Sequence, residues 1–145
     1  MDALARLLIA GALALLAGCS ALGAKPAARC FHANEAVEVD IGYCQALRDG
    51  RTLHVSGITG QGDMAAAIRS VYERVGKVLA ANGFTFAQVV KENVYATDLD
   101  AFVRNKAIRK EFYKDDFPAA TWVQVQRLYL PSYVVEIEVT AAKRP

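Results

Sequence analysis

Apolar positions recur at two different intervals along this chain. From Thr121 the β-branched residues Thr121, Val123 and Val125 alternate with Trp122, Gln124 and Gln126, the period of a strand with two unlike faces. The β-branched face is expected to meet a helical layer. The face carrying Trp122 and the amides is expected to line a cleft or meet a neighbouring subunit. Tyr133 to Ala141 alternates in the same way, with Val135, Ile137 and Val139 opposite Val134, Glu136 and Glu138. Upstream, Ile41 to Leu47 and Arg51 to Gly57 flank Asp49-Gly50, a tight-hairpin signal, and Val89 to Thr97 reads as a further strand. Gly57, Gly60 and Gly62 are expected to break the pattern after the second strand.

Elsewhere the interval is helical. Ile68, Val71, Tyr72, Val75, Val78 and Leu79 form one stripe from an N-cap at Asp63 to about Asn82, with Gly83 as the stop. Asp98 or Asp100 caps a second helix through about Tyr113, with Phe102, Ala107, Ile108 and Phe112 toward its inner side. Pro118 then forbids helix and favours extended chain before it. The order β-β-α-β-α-β-β predicts an α+β domain with two helices on one face of a mixed sheet. The opposite face is expected to carry His54, Ser56, Trp122, Gln124, Glu136 and Glu138. A face so mixed suits burial against other subunits better than bulk water.

The first residues follow a different rule. Arg6 precedes an uncharged apolar stretch from Leu7 to Gly18, too short to span a bilayer but suited to a secretory signal. It ends in Leu16-Ala17-Gly18-Cys19, which resembles the lipobox of bacterial lipoproteins. That reading gives a signal peptide at 1–18, lipidation of Cys19, a small, polar and proline-containing tether at 19–29, and a folded domain at 30–145. Ser20 after the cysteine points to the outer membrane by resemblance to lipoprotein sorting, so the domain would face the periplasm. An ordinary signal peptide or an uncleaved anchor is the alternative. Export would place Cys30 and Cys44 in an oxidising compartment, where they are either a disulfide or two small buried hydrophobes.

At 145 residues the chain suits one domain with a real core. Its 17 basic and 15 acidic residues are interspersed and the net charge is +2, so nothing marks a nucleic-acid partner. His32 and His54 with the cysteines fit no usual ligand spacing, and no metal or cofactor is expected. Serine-nucleophile, phosphate-loop and dinucleotide motifs are missing from the sequence.

Five stretches together resemble the RidA/YjgF family of enamine and imine deaminases: Ile41 to Ala46, Leu53 to Gly57, Val89 to Tyr95, Pro118 to Arg127, and Val135 to Glu138. The resemblance covers about Gly42 to Ala141. It implies a chorismate-mutase-like subunit, a homotrimer whose sheets enclose a barrel, and small-molecule clefts between subunits. It places the water-handling glutamate at Glu136, the cleft aromatic at Tyr43, the serine-glycine pair at Ser56 and Gly57, and a helix-borne asparagine at Asn105. The arginine that grips a substrate carboxylate in the family follows Pro-Ala directly, and here that position is Ala120. Losing it removes a charge-assisted fork, about 1.5–3 kcal/mol per hydrogen bond. Trp122 lies on the same face and adds bulk, so the pocket is expected to suit something flatter or less anionic. Two functions stand: a trimeric hydrolase of enamines or imines using Glu136, and an envelope binding module that keeps the cleft without the chemistry.

Overall fold

The computed structural model describes residues 28–144, so the expected signal peptide, Cys19 and most of the tether lie outside the described residues. A six-stranded mixed sheet runs in the order β1-β2-β3-β6-β4-β5. The strands are β1 (Arg29–Phe31), β2 (Ala46–Asp49), β3 (Thr52–Gln61), β4 (Val89–Ala96), β5 (Ala119–Gln124) and β6 (Tyr133–Ala142). All neighbours pair antiparallel except β4 and β5, which are parallel and joined through helices. The helices are α1 (Glu35–Asp40), α2 (Met64–Ala81), α3 (Leu99–Arg104) and α4 (Lys106–Tyr113).

The hairpin and the long helix follow the sequence closely. Gly50 takes φ 59 between Asp49 and Thr52, which pair across the turn. Asp63 caps α2 by accepting from the Ala66 N–H at 3.1 Å. The whole predicted stripe on α2 is buried, against Leu53, Val55, Val94, Val135, Ile137 and Val139 of the sheet. Each such side chain contributes about 1.5–3 kcal/mol by leaving water.

Four expectations are corrected. The first strand does not begin at Ile41, because a helix (α1) and a turn precede Ala46 and a short strand (β1) precedes both. The glycines do not end β3, which continues to Gln61 through a bulge: pairing passes from Val55↔Val139 to Ile58↔Ile137, so Ser56 and Gly57 oppose Glu138 alone. The bulge restores the phase, and Val55 and Ile58, three apart, both face the core. The second helix is two short ones, because the Asn105 amide donates to the Ala101 carbonyl at 2.9 Å and diverts the chain at the junction. On α4 it is Arg109 that turns inward, while Ala107 is exposed.

The fourth correction concerns β5. Trp122 and Gln124 do not share the open face with Glu136, Glu138 and His54. In the parallel register Glu92, Val94 and Ala96 pair with Ala120, Trp122 and Gln124, and Glu92, Val94 and Ala96 are buried on the helix side. The Trp122 ring stands edge-on to Phe102 at 5.1 Å, and its Nε1 donates to the Glu92 carboxylate at 3.2 Å. Gln124 accepts from the Leu99 N–H at the start of α3. The helix side thus contains a buried carboxylate, which makes it hospitable to the polar phase of β5.

Cys30 and Cys44 are bridged, with Cα atoms 5.7 Å apart, tying edge strand β1 to the turn before β2. Among the described residues no helix is long and apolar enough to cross a membrane.

Candidate functional site

The central strand β6 places Glu136 on the sheet face away from the helices, between Thr59 of β3 and Tyr95 of β4. Its carboxylate reaches over Gly57. A Cβ at Gly57 would lie 2.6 Å from the Glu136 Cδ and 2.8 Å from its Cγ, so the bulge glycine is what leaves room for the acid. Burial pushes the Glu136 carboxyl above the ordinary range, and repulsion from Glu138 two residues on adds to the effect. Glu138 is itself engaged, accepting from the Asn93 amide at 2.6 Å and the Tyr95 hydroxyl at 3.2 Å. Among the described residues nothing donates a hydrogen bond to Glu136, which leaves it the less satisfied of the two acids.

Glu136 stands at the foot of a cleft of about 670 Å³. One wall is Tyr43, held by its hydroxyl donating to the Gly57 carbonyl at 2.9 Å and receiving the Gln45 amide at 3.3 Å. Burial first, and then the nearby Glu136 charge, raise the Tyr43 phenol. The rim is formed by Val37 and Ile41 of the α1 segment and by Tyr129, all exposed. Arg74, on α2, is the cation of this cleft; its Nη1 donates to the Thr59 carbonyl at 2.8 Å and its other donors remain available. On the other side of Glu136 a shallower groove joins it to Tyr95, Arg127 and Glu138. The arrangement offers a poorly satisfied carboxylate, fixed aromatic and amide dipoles, and an arginine at one side. Those are the parts needed to orient water toward an electrophilic carbon and to hold an anion.

Tyr43, Gly57 and Glu136 therefore meet in one cleft. Ser56 lies beside it, but its hydroxyl donates to the Cys44 carbonyl at 2.6 Å and lines a separate groove with His54, Lys91 and Asn93. Asn105 sits at the α3–α4 junction, Ala120 on the far edge strand with β4 between it and β6, and Trp122 on the helix side. Within one subunit these three do not reach Glu136. Sequence reasoning missed Arg74, Gln45 and Tyr129. Gln45 carried a signal, its place in the Ile41 to Ala46 stretch that bears the resemblance; Arg74 carried none, since exposed arginines on amphipathic helices are ordinary.

A helix-backed mixed sheet whose central strand carries an acid into an open cleft defines a small α+β ligand-site scaffold. The chain belongs to the RidA/YjgF family: the family model described as endoribonuclease L-PSP matches residues 33–143. It is 32% identical over 112 residues to the human 2-iminobutanoate/2-iminopropanoate deaminase, covering 71% of this chain and 81% of that protein. A RutC family protein of Sulfurisphaera tokodaii is 30% identical over 110 residues, covering 70% and 87%. The crystal structure of a YjgF/YER057c/UK114 family member from Mycobacterium tuberculosis superposes with a TM-score of 0.75 at 30% identity, covering 81% of this chain and all of that one.

Proposed function

We propose that this protein hydrolyses small imines or enamines in the Glu136 cleft. The observation that carries the reading is the half-buried Glu136 carboxylate, raised by burial and lacking a donor among the described residues, facing a cleft next to the fixed Tyr43 hydroxyl. Glu136 takes a proton from water as the water oxygen bonds to the C=N carbon. The C=N electron pair moves to nitrogen, which is protonated. The resulting carbinolamine expels ammonia as its hydroxyl loses a proton, leaving the carbonyl product. The substrate departs from the usual type in how it is held. With alanine at 120, an anionic group on the substrate is met from the α2 side by Arg74, and a neutral, flatter imine needs no such contact.

The scaffold acts as a homotrimer with the clefts between subunits. Exposed Val37, Val39, Ile41, Tyr129 and Leu130 cluster at the cleft rim and its flanks, where a neighbour would cover them and bring its own Asn105, Ala120 and Trp122 to complete the wall. The chain is anchored through lipid on Cys19 and faces the periplasm, and a Cys19→Ala variant is expected in the soluble fraction. The missing arginine supports a second reading, a binding module without turnover. Glu136→Gln distinguishes the two. Ammonia release from freshly generated 2-iminopropanoate should exceed the buffer rate for the parent and fall to it for the variant, with the same sedimentation for both proteins. A parent no faster than buffer on acidic and neutral imines alike would remove the hydrolase reading and leave the binding module.

A further inference from the structure

The Cys30–Cys44 bridge lies outside the chemistry proposed for Glu136, and its surroundings are those of a reactive sulfur rather than an inert staple. Cys30 is exposed on the three-residue edge strand β1, while Cys44 is half-buried. The imidazole of His32 stands 3.2 Å from the Cys30 Sγ through Nε2. Its Nδ1 is 2.9 Å from the Glu38 Oε2. Glu38 is buried, and although burial alone would raise its carboxyl, hydrogen bonds from the Asn34 N–H, His32 and the Ala33 N–H bring it below the ordinary range. An ionised carboxylate only accepts, so Nδ1 carries the hydrogen and Nε2 is left facing sulfur with its lone pair. A buried acid thus fixes the tautomer of a histidine, and the histidine addresses an exposed cysteine. This is the orientation that activates a thiol when one is present.

We propose that Cys30–Cys44 is a thiol–disulfide exchange site for a dithiol, with Cys30 the exchanging sulfur, Cys44 the resolving one, and His32, oriented by Glu38, the group that receives the Cys30 proton. A thiolate of the dithiol attacks the Cys30 Sγ, the Cys30–Cys44 bond breaks, and Cys44 leaves with the electron pair and is protonated from solvent. The second sulfur of the dithiol then attacks the first. Cys30 departs as a thiolate, and its proton resides on His32. The protein gains two electrons and two protons, and the dithiol becomes a disulfide. In the reverse direction reduced Cys30 opens a substrate disulfide and Cys44 resolves the mixed intermediate.

The test uses the full-length chain with Cys19→Ser, so that only the pair is titrated, and dithiothreitol as the dithiol. Under native conditions full reduction, in which resolution of the Cys30 mixed disulfide competes with re-closure by Cys44, should be at least about ten-fold faster than in the same chain with His32→Ala, followed by thiol trapping and mass. The oxidised forms should melt alike. A second variant, Cys19→Ser with Cys44→Ala, isolates Cys30. Its ultraviolet thiolate absorbance at neutral pH should far exceed the few per cent of an ordinary thiol, and should fall to that level when His32 is also replaced. Equal reduction rates with and without His32, a bridge that opens only in denaturant, or a Cys30 that ionises like free cysteine would each overturn the proposal. None of these readouts depends on imine hydrolysis.

Discussion

Replacing Glu92 by leucine removes the one carboxylate, among the described residues, that is fully buried against the helices. Its Oε1 accepts from the Arg109 Nε at 2.7 Å and the Trp122 Nε1 at 3.2 Å, and its Oε2 accepts from the Tyr72 hydroxyl at 3.0 Å. Glu92 is 0% and Arg109 6% exposed, so the guanidinium left behind is largely shielded from water. Breaking a pair this deep costs about 3–5 kcal/mol, most of it the stranded charge. That is a large share of the roughly 5–15 kcal/mol by which a domain is stable. Arg109 keeps some compensation, because its guanidinium lies 4.7 Å from the Tyr113 ring and 5.5 Å from that of Phe117, a contribution of about 0.5–2 kcal/mol. Arg109→Met alone strands Glu92 and should cost a similar 3–5 kcal/mol or so. The double variant Glu92→Leu with Arg109→Met strands neither, fills the same volume with a side chain that packs against aromatics, and should lie within about 2 kcal/mol of the parent. The cycle therefore predicts a coupling of about 3 kcal/mol or more, read from urea unfolding at one fixed protein concentration, which holds any contribution from assembly constant. Single variants whose costs add to within about 0.5 kcal/mol would show that the pair is not energetically coupled and would refute the reasoning.

Further outcomes concern the cleft. Arg74→Ala should raise KM for an anionic imine by about ten-fold, the worth of one charge-assisted hydrogen bond, while leaving a neutral imine nearly unaffected; equal effects on both would remove Arg74 as the anion contact. The Glu136 carboxyl is raised, so as a base it is lost when pH falls through a value above the ordinary carboxylate range, and the acid limb of kcat/KM should lie correspondingly high. Glu138→Gln should move that limb down only in part, because burial outweighs the Glu138 charge. The stability sign is opposite to that of a salt-bridged acid. The folded state holds the Glu136 proton more tightly than the unfolded one, so this group destabilises above its folded value and does not below the unfolded one, and Glu136→Gln should be no less stable than the parent at neutral pH. Gly57→Ala should abolish turnover with the fold retained, since the new methyl displaces the Glu136 carboxylate; full activity would show that the close approach is not part of the site.

The elements most legible in the sequence are those whose environment has one character throughout. The α2 stripe, its Asp63 cap and the Asp49-Gly50 turn each answer to a local rule, and each stands where the pattern puts it. The RidA/YjgF resemblance names Glu136, Tyr43 and Gly57, and the fold brings these three to one cleft. What escaped is what depends on a partner far along the chain. Polarity alone assigns the tryptophan and two amides of the stretch from Thr121 to the open side. The placement of the tryptophan is decided by Glu92, roughly thirty residues earlier, whose carboxylate makes the helix side receptive to the indole N–H. Glu92 itself was visible as a charge in phase with Val94 and Ala96 on β4, a conflict within the strand's own alternation. The α1 helix escaped for the opposite reason. Val37, Val39 and Ile41 are exposed in the single chain, so no amphipathic stripe forms to announce it.

An isolated subunit would gain nothing by presenting Val37, Val39 and Ile41 to water at 55%, 60% and 57% exposure beside an exposed Tyr129. The disulfide and the Glu38 hydrogen bonds hold this segment in place without burying it, so the stabilisation of α1 is local and covalent while its apolar surface remains free for contact. The polar work of the site is done from the opposite direction, by a β6 acid that the bulge at Ser56 and Gly57 allows to stand over β3. One chain thus supplies the acid, the tyrosine wall and a pre-ordered apolar rim. The edge strand β5, with Ala120 three strands' pairing away from β3, supplies nothing to this cleft. Ala120 is exposed on that edge strand, so packing within the subunit does not fix its identity.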